Sequence, residues 1–445
     1  MSDLLLKTKK IILLLGDVAM LYISLYLTLI ARYGYADIGA NWEKHFLPFS
    51  LIFIIWLIVF FINDFYDLKI SYNTNNLISA LIRILIIDLV IAVIIFYFLN
   101  PMLHGLKPQR ILIIDGGVSL IILFFWRKIF YNFIKSPNIV NRVLVIGQSP
   151  LSEALMDEIN KRPQLGYRAA NAIQMPEDLK AYCLNNNIDI LISAQDLKND
   201  QELSQEIFKC LSLGVDVYNI NSFYETITNK IPVEYIEHSW FLENLAEHSK
   251  KLYELAKRFL DIILSILGLM MAIFLTPLIA LGIKLAGPGP IIFKQIRMGK
   301  NGKTFLAMKF RSMVNNAEQN GPQWAQKNDP RITKFGSFMR KTRLDEIPQL
   351  LNILKGEMSF IGPRPERPEF VETLEQKIPF YNERLLVRPG LTGWAQLKGP
   401  SYGGSPEETL EKLKYDLYYI KNRSFLLDLS IILKTIKTVL SGRGQ

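Results

Sequence analysis

The stretch IILSILGLMMAIFLTPLIALGI, residues 262–283, decides how this chain is organised. It holds 22 residues without a charged side chain. As a helix it would extend about 33 Å, enough to cross the hydrocarbon layer of a membrane. Cations lie at both ends, with Lys257 and Arg258 before it and Lys284 and Lys294 after it. Because positively charged flanks stay on the cytoplasmic side, a single crossing does not satisfy both ends. This conflict predicts a segment that enters the membrane and returns.

Thr276 and Pro277 lie inside the stretch and offer a place for it to turn. Proline removes one helix hydrogen bond and clashes with the preceding turn, while a neighbouring hydroxyl can satisfy the carbonyl that is freed. We therefore predict a re-entrant helix over residues 257–285 with its kink at these two positions. The alternative is an ordinary kinked span, which would place everything after it on the opposite side of the membrane.

Four further apolar stretches predict a membrane bundle in the first third of the chain. Each approaches the ~20 residues that a spanning helix needs. They are residues 11–31, 46–62, 77–99 and 111–130. Lysines precede the first and basic residues follow the fourth, so both ends of the bundle are expected in the cytoplasm. Asp17, Arg83 and Asp88 lie within these stretches. They could form a polar path for a transporter or interhelical pairs that fix the packing of the helices, and we favour the packing role.

Residues 137–249 alternate short apolar strands with helical segments, a pattern typical of a parallel α/β sheet. The first strand, RVLVIG at residues 142–147, runs into a glycine, as the first strand of a dinucleotide-binding domain does. The next residues, QSPLS, lack the second and third glycines of that fingerprint. We therefore predict a Rossmann-like domain with a structural or regulatory role rather than a cofactor site.

Composition narrows the class of protein further. The chain of 445 residues is 50% hydrophobic and has a net charge of +10, which favours a membrane and an anionic partner. Its two cysteines and four histidines show no spacing typical of a disulfide scaffold or a zinc site. The basic residues flank apolar helices without any module that reads nucleic acid, so we expect no nucleic-acid partner.

The stretch RKTRLDEIP, residues 340–348, holds the candidate catalytic residues. Pro348 suits the first turn of the apolar helix that follows, which places Asp345 and Glu346 near a helix N-terminus, where the helix dipole stabilises a carboxylate. An ionised aspartate among cations is suited to attack phosphorus, and the adjacent acid suits Mg²⁺, which prefers carboxylates and phosphate oxygens. The alternative is a capping pair with surface ion pairs, and spacing alone supports both interpretations equally.

Basic residues in two other places are candidates for binding phosphate. Lys309 and Arg311 are two residues apart in a predicted strand of a hairpin, so both side chains would project from one face. Arg364 stands between Pro363 and Pro365, whose rings hold the backbone extended and suit a fixed guanidinium that binds phosphate in a bidentate manner. For the hairpin pair, the alternative is two solvated charges.

Three blocks of the C-terminal part resemble the bacterial sugar transferase family, the monotopic phosphoglycosyl transferases. The blocks are PGPIIFKQIRMGKNGKTFLAMKFRSM, TKFGSFMRKTRLDEIPQLLNILKGEMSFIGPRPERPEF and RPGLTGWAQ. The apolar spans and the α/β domain resemble the long members of this family, which initiate exopolysaccharide or O-antigen assembly. The expected fold is a membrane protein with a four-helix transmembrane region (1–136), a Rossmann-like domain (137–249) and a C-terminal mixed α/β catalytic domain (250–445).

The resemblance implies a reaction in which a UDP-sugar donates its sugar 1-phosphate to undecaprenyl phosphate and UMP is released. In this scheme Asp345 is the nucleophile that holds the phosphosugar before the lipid phosphate displaces it. Glu346 supports metal binding or proton handling, and Mg²⁺ is the implied cofactor, bound at both acids. The re-entrant helix with its proline is also a family feature. The basic positions expected to bind phosphate or nucleotide are Lys309, Arg311, Arg343 and Arg364.

The expected partners are a UDP-sugar, undecaprenyl phosphate and the lipid bilayer, and a homodimer stays open. The expected location is the bacterial cytoplasmic membrane, with several passes and with the catalytic domain on the cytoplasmic face. Glucose, galactose and N-acetylated hexosamines all stay open as the sugar. Two other classes of function stay open, a non-catalytic scaffold or regulator of polysaccharide assembly and a transporter.

Overall fold

The chain forms two compact units, Met1–Thr228 and Asn229–Gln445. The computed structural model describes residues 2–441 except 71–72, 100–108, 135, 137–139, 196, 198–199, 246–249, 316, 318–320, 322–328 and 401–404. The predicted domain boundaries at 136/137 and 249/250 fall at residues 137–139 and 246–249, outside the described residues. The second unit begins before the predicted catalytic domain because Ile231, Val233 and Ile236 are buried in its core.

Four long helices open the first unit. They are α1 (Ser2–Tyr33), α2 (Ile38–Ile62), α3 (Thr74–Leu99) and α4 (Gln109–Ile134). By length and composition, α1 from Leu6, α2 and α3 up to Phe98 can each cross a membrane. Helix α4 is not among the described helices that are long and apolar enough to cross a membrane. Its apolar sequence is interrupted by Asp115, Arg127 and Lys128. Arg127 is buried against α1, where its guanidinium lies 2.5 Å from the Asp17 carboxylate. This ion pair joins the two helices.

The parallel sheet predicted for the middle of the chain is confirmed. Its strands, all parallel and in the order β2-β1-β3-β4, are β1 (Asn141–Ile146), β2 (Tyr167–Ile173), β3 (Ile190–Ser193) and β4 (Asp216–Asn219). The last four residues of β1 are buried, which explains its unbroken apolar sequence. The accompanying helices are α5 (Pro150–Lys161), α6 (Leu179–Asn185), α7 (Gln201–Cys210) and α8 (Ile220–Thr228). Ser149 caps α5, because its side chain accepts the N–H of Ser152.

The second unit combines two small sheets with helices of very different lengths. The predicted hairpin is confirmed as the antiparallel pair β5 (Ile292–Met298) and β6 (Thr304–Phe310). A second, parallel pair consists of β7 (Ser359–Ile361) and β8 (Gly390–Thr392). The helices are α9 (His238–Asn244), α10 (Lys251–Leu285), α11 (Lys334–Thr342), α12 (Gln349–Lys355), α13 (Pro368–Glu375), α14 (Trp394–Lys398), α15 (Pro406–Asn422) and α16 (Phe425–Leu440).

Helix α10 contains the uncharged apolar stretch of residues 262–283. It runs for 35 residues and includes Thr276 and Pro277, and it is long and apolar enough to cross a membrane. The Thr276 hydroxyl donates to the carbonyl of Ala272 at 2.7 Å, the bond to residue i−4 that threonine commonly makes within a helix. Whether α10 crosses the membrane or re-enters it stays a prediction.

Two glycines let α10 approach the short helices of its unit closely. A Cβ at Gly268 would lie 2.9 Å from the Leu350 side chain of α12. A Cβ at Gly282 would lie 2.5 Å from the Phe335 ring of α11. A Cβ at Gly282 would force the Phe335 ring to move, whereas at Gly268 the end of the flexible Leu350 side chain could shift to make room.

Polar contacts also attach α10 to the rest of the unit. The guanidinium of Arg258 donates to the carbonyl oxygens of Ile353 and Leu354, at 2.5 and 2.7 Å. The Asp261 carboxylate, which is buried, accepts the Phe360 N–H at 3.1 Å and the Ser359 hydroxyl at 3.2 Å. Helix α10 is therefore attached to α12 and β7, the elements that flank the candidate site described below.

Candidate active site

Asp345 and Glu346 lie in a single 3₁₀ turn, Leu344–Glu346, between α11 and α12. Arg343, which precedes the turn, has a left-handed backbone with φ of +59°. This conformation ends α11 and starts the turn in the same place, and both acidic side chains are buried. The predicted position near the start of a helix is confirmed, because Pro348 caps α12 two residues later.

Glu346 is surrounded by three cations. Its Oε1 atom lies 2.8 Å from Lys309 Nζ, 3.2 Å from an Arg364 nitrogen and 3.4 Å from an Arg343 nitrogen. Burial alone would raise the pKa of the Glu346 carboxyl, but the positive charges of these three residues outweigh it and hold that pKa well below the usual range. The three cations therefore favour the ionised form of the Glu346 carboxyl.

Asp345 differs from its neighbour because one of its oxygens is unpartnered. Oδ1 is buried and has no hydrogen-bond partner. Burial raises the pKa of Asp345, with Lys309, Arg340 and Arg343 opposing this effect and the charge of Glu346 adding to it. A buried carboxylate oxygen without a partner is costly, so its presence among cations points to a chemical role.

Three of the four predicted basic residues therefore come together at the acidic pair. Lys309 reaches it from β6, Arg343 from the end of α11 and Arg364 from the segment after β7. The position of Lys309 is fixed by Asn352 of α12, whose amide donates to Leu306 O at 2.7 Å and accepts the Met308 N–H at 3.1 Å. Asn352 was not predicted, although an amide between the leucines and isoleucine of an apolar helix was a signal available in the sequence.

Arg311 lies elsewhere in the unit. Its guanidinium donates to the carbonyls of Ile283, Gly287 and Pro288, at 3.1, 2.6 and 2.6 Å, and the side chain is buried. Arg311 therefore satisfies carbonyls at the end of α10, an arrangement common at helix C-termini. Lys309 contacts the Glu346 carboxylate instead, so the two basic residues predicted to act together contact different groups.

Arg340 is a further cation near the pair that was not among the predicted substrate-binding residues. Its Nε donates to the Ser312 hydroxyl at 2.8 Å, and its positive charge acts on Asp345. Arg340 belongs to the basic run RKTR, residues 340–343, directly before the acidic pair in the sequence. That run was the available signal.

The acidic pair fits a magnesium ion in its chemistry. Within the described part of the chain no three His, Cys, Asp or Glu side chains gather around one point. Mg²⁺ needs only one or two carboxylates when substrate phosphates and water supply its other ligands. The buried, unpartnered Oδ1 of Asp345 is a hard oxygen of the kind that Mg²⁺ prefers.

The site is built for phosphate chemistry beside a membrane. Arg340, Lys309, Arg343 and Arg364 supply four positive charges against the two carboxylates, and the same unit carries an apolar helix that can cross a membrane. Fold and site together define a membrane-associated protein with a cationic site suited to phosphate.

Comparison with known proteins identifies the family. A family model described as bacterial sugar transferase matches residues 252–442. A UDP-glucose:undecaprenyl-phosphate glucose-1-phosphate transferase of Xanthomonas campestris pv. campestris is 32% identical over 359 residues, which are 74% of this chain and 73% of that relative. The chain therefore belongs to the bacterial sugar transferase family and is an enzyme and a membrane protein.

Two other relatives differ in the sugar that their names give. A UDP-N-acetylgalactosamine-undecaprenyl-phosphate N-acetylgalactosaminephosphotransferase of Aeromonas hydrophila is 40% identical over 252 residues, 56% of this chain and 59% of the relative. A UDP-glucose:undecaprenyl-phosphate glucose-1-phosphate transferase of Escherichia coli K12 is 33% identical over 317 residues, 66% of each chain. The names share the lipid acceptor but not the sugar.

Proposed function

We propose that the protein transfers a sugar 1-phosphate from a UDP-sugar to undecaprenyl phosphate and releases UMP, the first membrane step in the assembly of a polysaccharide. The names of the relatives support the lipid acceptor and the donor class. The observation that carries the mechanism is the buried Asp345 carboxylate, with an unpartnered oxygen among four cations.

The reaction has two steps at one phosphorus atom. The Asp345 carboxylate attacks the β-phosphorus of the donor, a bond from carboxylate oxygen to phosphorus forms, and the bond to the UMP leaving group breaks. An oxygen of undecaprenyl phosphate then attacks the same phosphorus, and the Asp345 carboxylate is the leaving group. UMP leaves before the lipid reacts, so the scheme is ping-pong.

The cations bind and orient the donor. Lys309, Arg343 and Arg364 already hold the negative charge of Glu346, so their N–H groups are preorganised for diphosphate oxygens. Glu346 keeps the three cations together when no donor is bound. A Mg²⁺ ion held by Asp345 and Glu346 with donor oxygens would neutralise the diphosphate charge further.

The site is proposed to lie on the cytoplasmic side of the membrane. UDP-sugars are cytoplasmic, so we place the site at the cytoplasmic face of the bacterial cytoplasmic membrane. The cationic flanks of α10, among them Lys257 and Lys284, support this orientation.

UMP release tests the mechanism most directly. The wild-type protein in detergent, given a panel of UDP-sugars without lipid acceptor, should release about one UMP per active site from the correct donor, whereas Asp345→Asn should release none. Glu375→Gln, which removes an exposed carboxylate of the same unit, is the control and should match the wild type. A normal UMP yield from Asp345→Asn would contradict the proposal and favour a non-catalytic scaffold.

A further inference from the structure

Arg384 contacts the backbone of Arg364, one of the three cations at Glu346. It belongs to a 3₁₀ segment, Tyr381–Leu386, and its side chain is buried. One terminal nitrogen of its guanidinium donates to the backbone carbonyl of Arg364 at 2.9 Å. The same nitrogen lies 2.9 Å from the carboxylate of Asp416 on α15, and the other donates to the Tyr381 hydroxyl at 2.7 Å. Its hydrogen bonds are thus made within the protein.

The backbone around Arg364 is held at three successive carbonyls. The N–H of Gly390 donates to Pro363 O at 2.9 Å, and Arg297 donates to Pro365 O at 3.0 Å. Arg384 provides the central contact, on the carbonyl of Arg364 itself. Since prolines on both sides already restrict the backbone, these contacts determine where the Arg364 side chain begins.

We propose that Arg384, held by Asp416, is a positioning residue that directs the Arg364 guanidinium toward the donor diphosphate. The inference rests on the proposed function, in which Arg364 binds that diphosphate. A buried ion pair is an expensive way to fill space, and an apolar side chain would pack as well. The Arg384–Asp416 pair is explained if it holds the Arg364 carbonyl in a fixed position, because bidentate phosphate recognition by the Arg364 guanidinium tolerates little displacement.

Kinetics separate positioning from a purely structural role. Arg364 contacts the donor both before and during the reaction, so displacing it weakens binding in the ground state and the transition state alike. Such a change raises KM and leaves kcat nearly unchanged. In Arg384→Lys the ammonium can still pair with Asp416, but it does not reproduce the planar fork that also holds Arg364. We expect the KM for the UDP-sugar to rise about tenfold, with kcat within about threefold of the wild type.

Arg423 provides a matched control. It is 5% exposed against 8% for Arg384, and it likewise pairs with a carboxylate, Glu254 at 2.9 Å, and donates to a carbonyl, Ile420 O at 2.6 Å. Its carbonyl belongs to α15 and not to the segment of Arg364. Arg423→Lys should therefore lower the melting temperature without changing the donor KM.

The full-length protein in detergent is assayed for UMP release with the UDP-sugar that it uses best. The variants are Arg384→Lys, Arg364→Lys, the double variant and Arg423→Lys. Because Arg384 acts through Arg364, the double variant should have the KM of Arg364→Lys and not the product of the two effects. Tyr381→Phe, which removes one acceptor from Arg384, should raise KM about twofold and serves if Arg384→Lys does not fold.

The outcomes distinguish the inference from the proposed function. If Arg364→Lys raises KM and Arg384→Lys, when folded, does not, the positioning role is overturned while the proposed function stands. If the two effects multiply in the double variant, Arg384 acts independently of Arg364 and the inference is also overturned. An unchanged KM in Arg364→Lys would show that Arg364 does not bind the donor. Both its assigned role in donor binding and the positioning role of Arg384 would then be overturned.

Discussion

Replacing Arg311 by lysine should destabilise the protein without weakening its affinity for the donor. Sequence spacing assigned Arg311 to phosphate binding, whereas in the structure it binds three backbone carbonyls at the end of α10. A lysine keeps the positive charge but can replace only one of these contacts well. The substitution therefore distinguishes the two roles.

The magnitude follows from the bonds that are lost. Hydrogen bonds from a charged group contribute about 1.5–3 kcal/mol each, so losing two of the three Arg311 contacts should lower the unfolding free energy by about 3–6 kcal/mol. In a unit of this size each kcal/mol corresponds to about 2–4 °C, so the melting temperature should fall by about 6–24 °C. The KM for the UDP-sugar should stay within about twofold of the wild type, because no donor contact is removed.

Two measurements on the detergent-solubilised protein test this expectation. Thermal unfolding followed by intrinsic fluorescence gives the melting temperature, and UMP release at low temperature gives KM for the folded enzyme. Arg364→Lys is the opposite control, with a raised KM and little change in melting temperature. If Arg311→Lys instead raised KM and left the melting temperature unchanged, the structural role of Arg311 would be refuted and the phosphate-binding role restored.

Three other predictions concern the acidic pair and its support. Because burial and the charge of Glu346 raise the pKa of Asp345, activity should decline as pH falls through a pKa above that of an ordinary aspartate. Glu346→Gln removes a negative charge that raises the pKa of Asp345, so the acidic limb of the pH–kcat/KM profile of the residual activity should move to lower pH. If the limb does not move, Asp345 is not its origin. EDTA should abolish UMP release and Mg²⁺ should restore it, whereas full activity in EDTA would exclude a metal requirement. Asn352→Ala, which leaves Leu306 O and the Met308 N–H unpaired, should lower the unfolding free energy by about 3 kcal/mol in thermal melts, and an unchanged melting temperature would contradict this.

Local patterns were sufficient to predict much of the fold. The apolar run of β1 and the alternation of strands and helices predicted the parallel sheet, and the glycine-rich turn at residues 299–302 predicted the β5–β6 hairpin. Pro348 predicted the helix start beside Asp345 and Glu346. Each of these features is encoded within a few residues, through backbone restriction or side-chain periodicity.

Features that depend on distant residues were not predicted. The two-residue spacing of Lys309 and Arg311 predicts a common role, but the carbonyls that Arg311 binds belong to residues 283–288, which are distant in sequence. Arg384 and Asp416 give no local signal of their role, because their importance comes from a carbonyl 20 residues away in sequence from Arg384. The unpartnered oxygen of Asp345 likewise arises only when four segments come together.

The two glycine contacts of α10 limit how the enzyme can be re-engineered. A membrane anchor of equal length and hydropathy, such as a run of leucines, would place branched side chains where Leu350 and the Phe335 ring now lie. Such a chimera would still insert into lipid, yet the Phe335 ring of α11, the helix that precedes the acidic pair, would have to move. The anchor is thus packed into the catalytic unit, and swapping it between homologues requires keeping glycine at position 282.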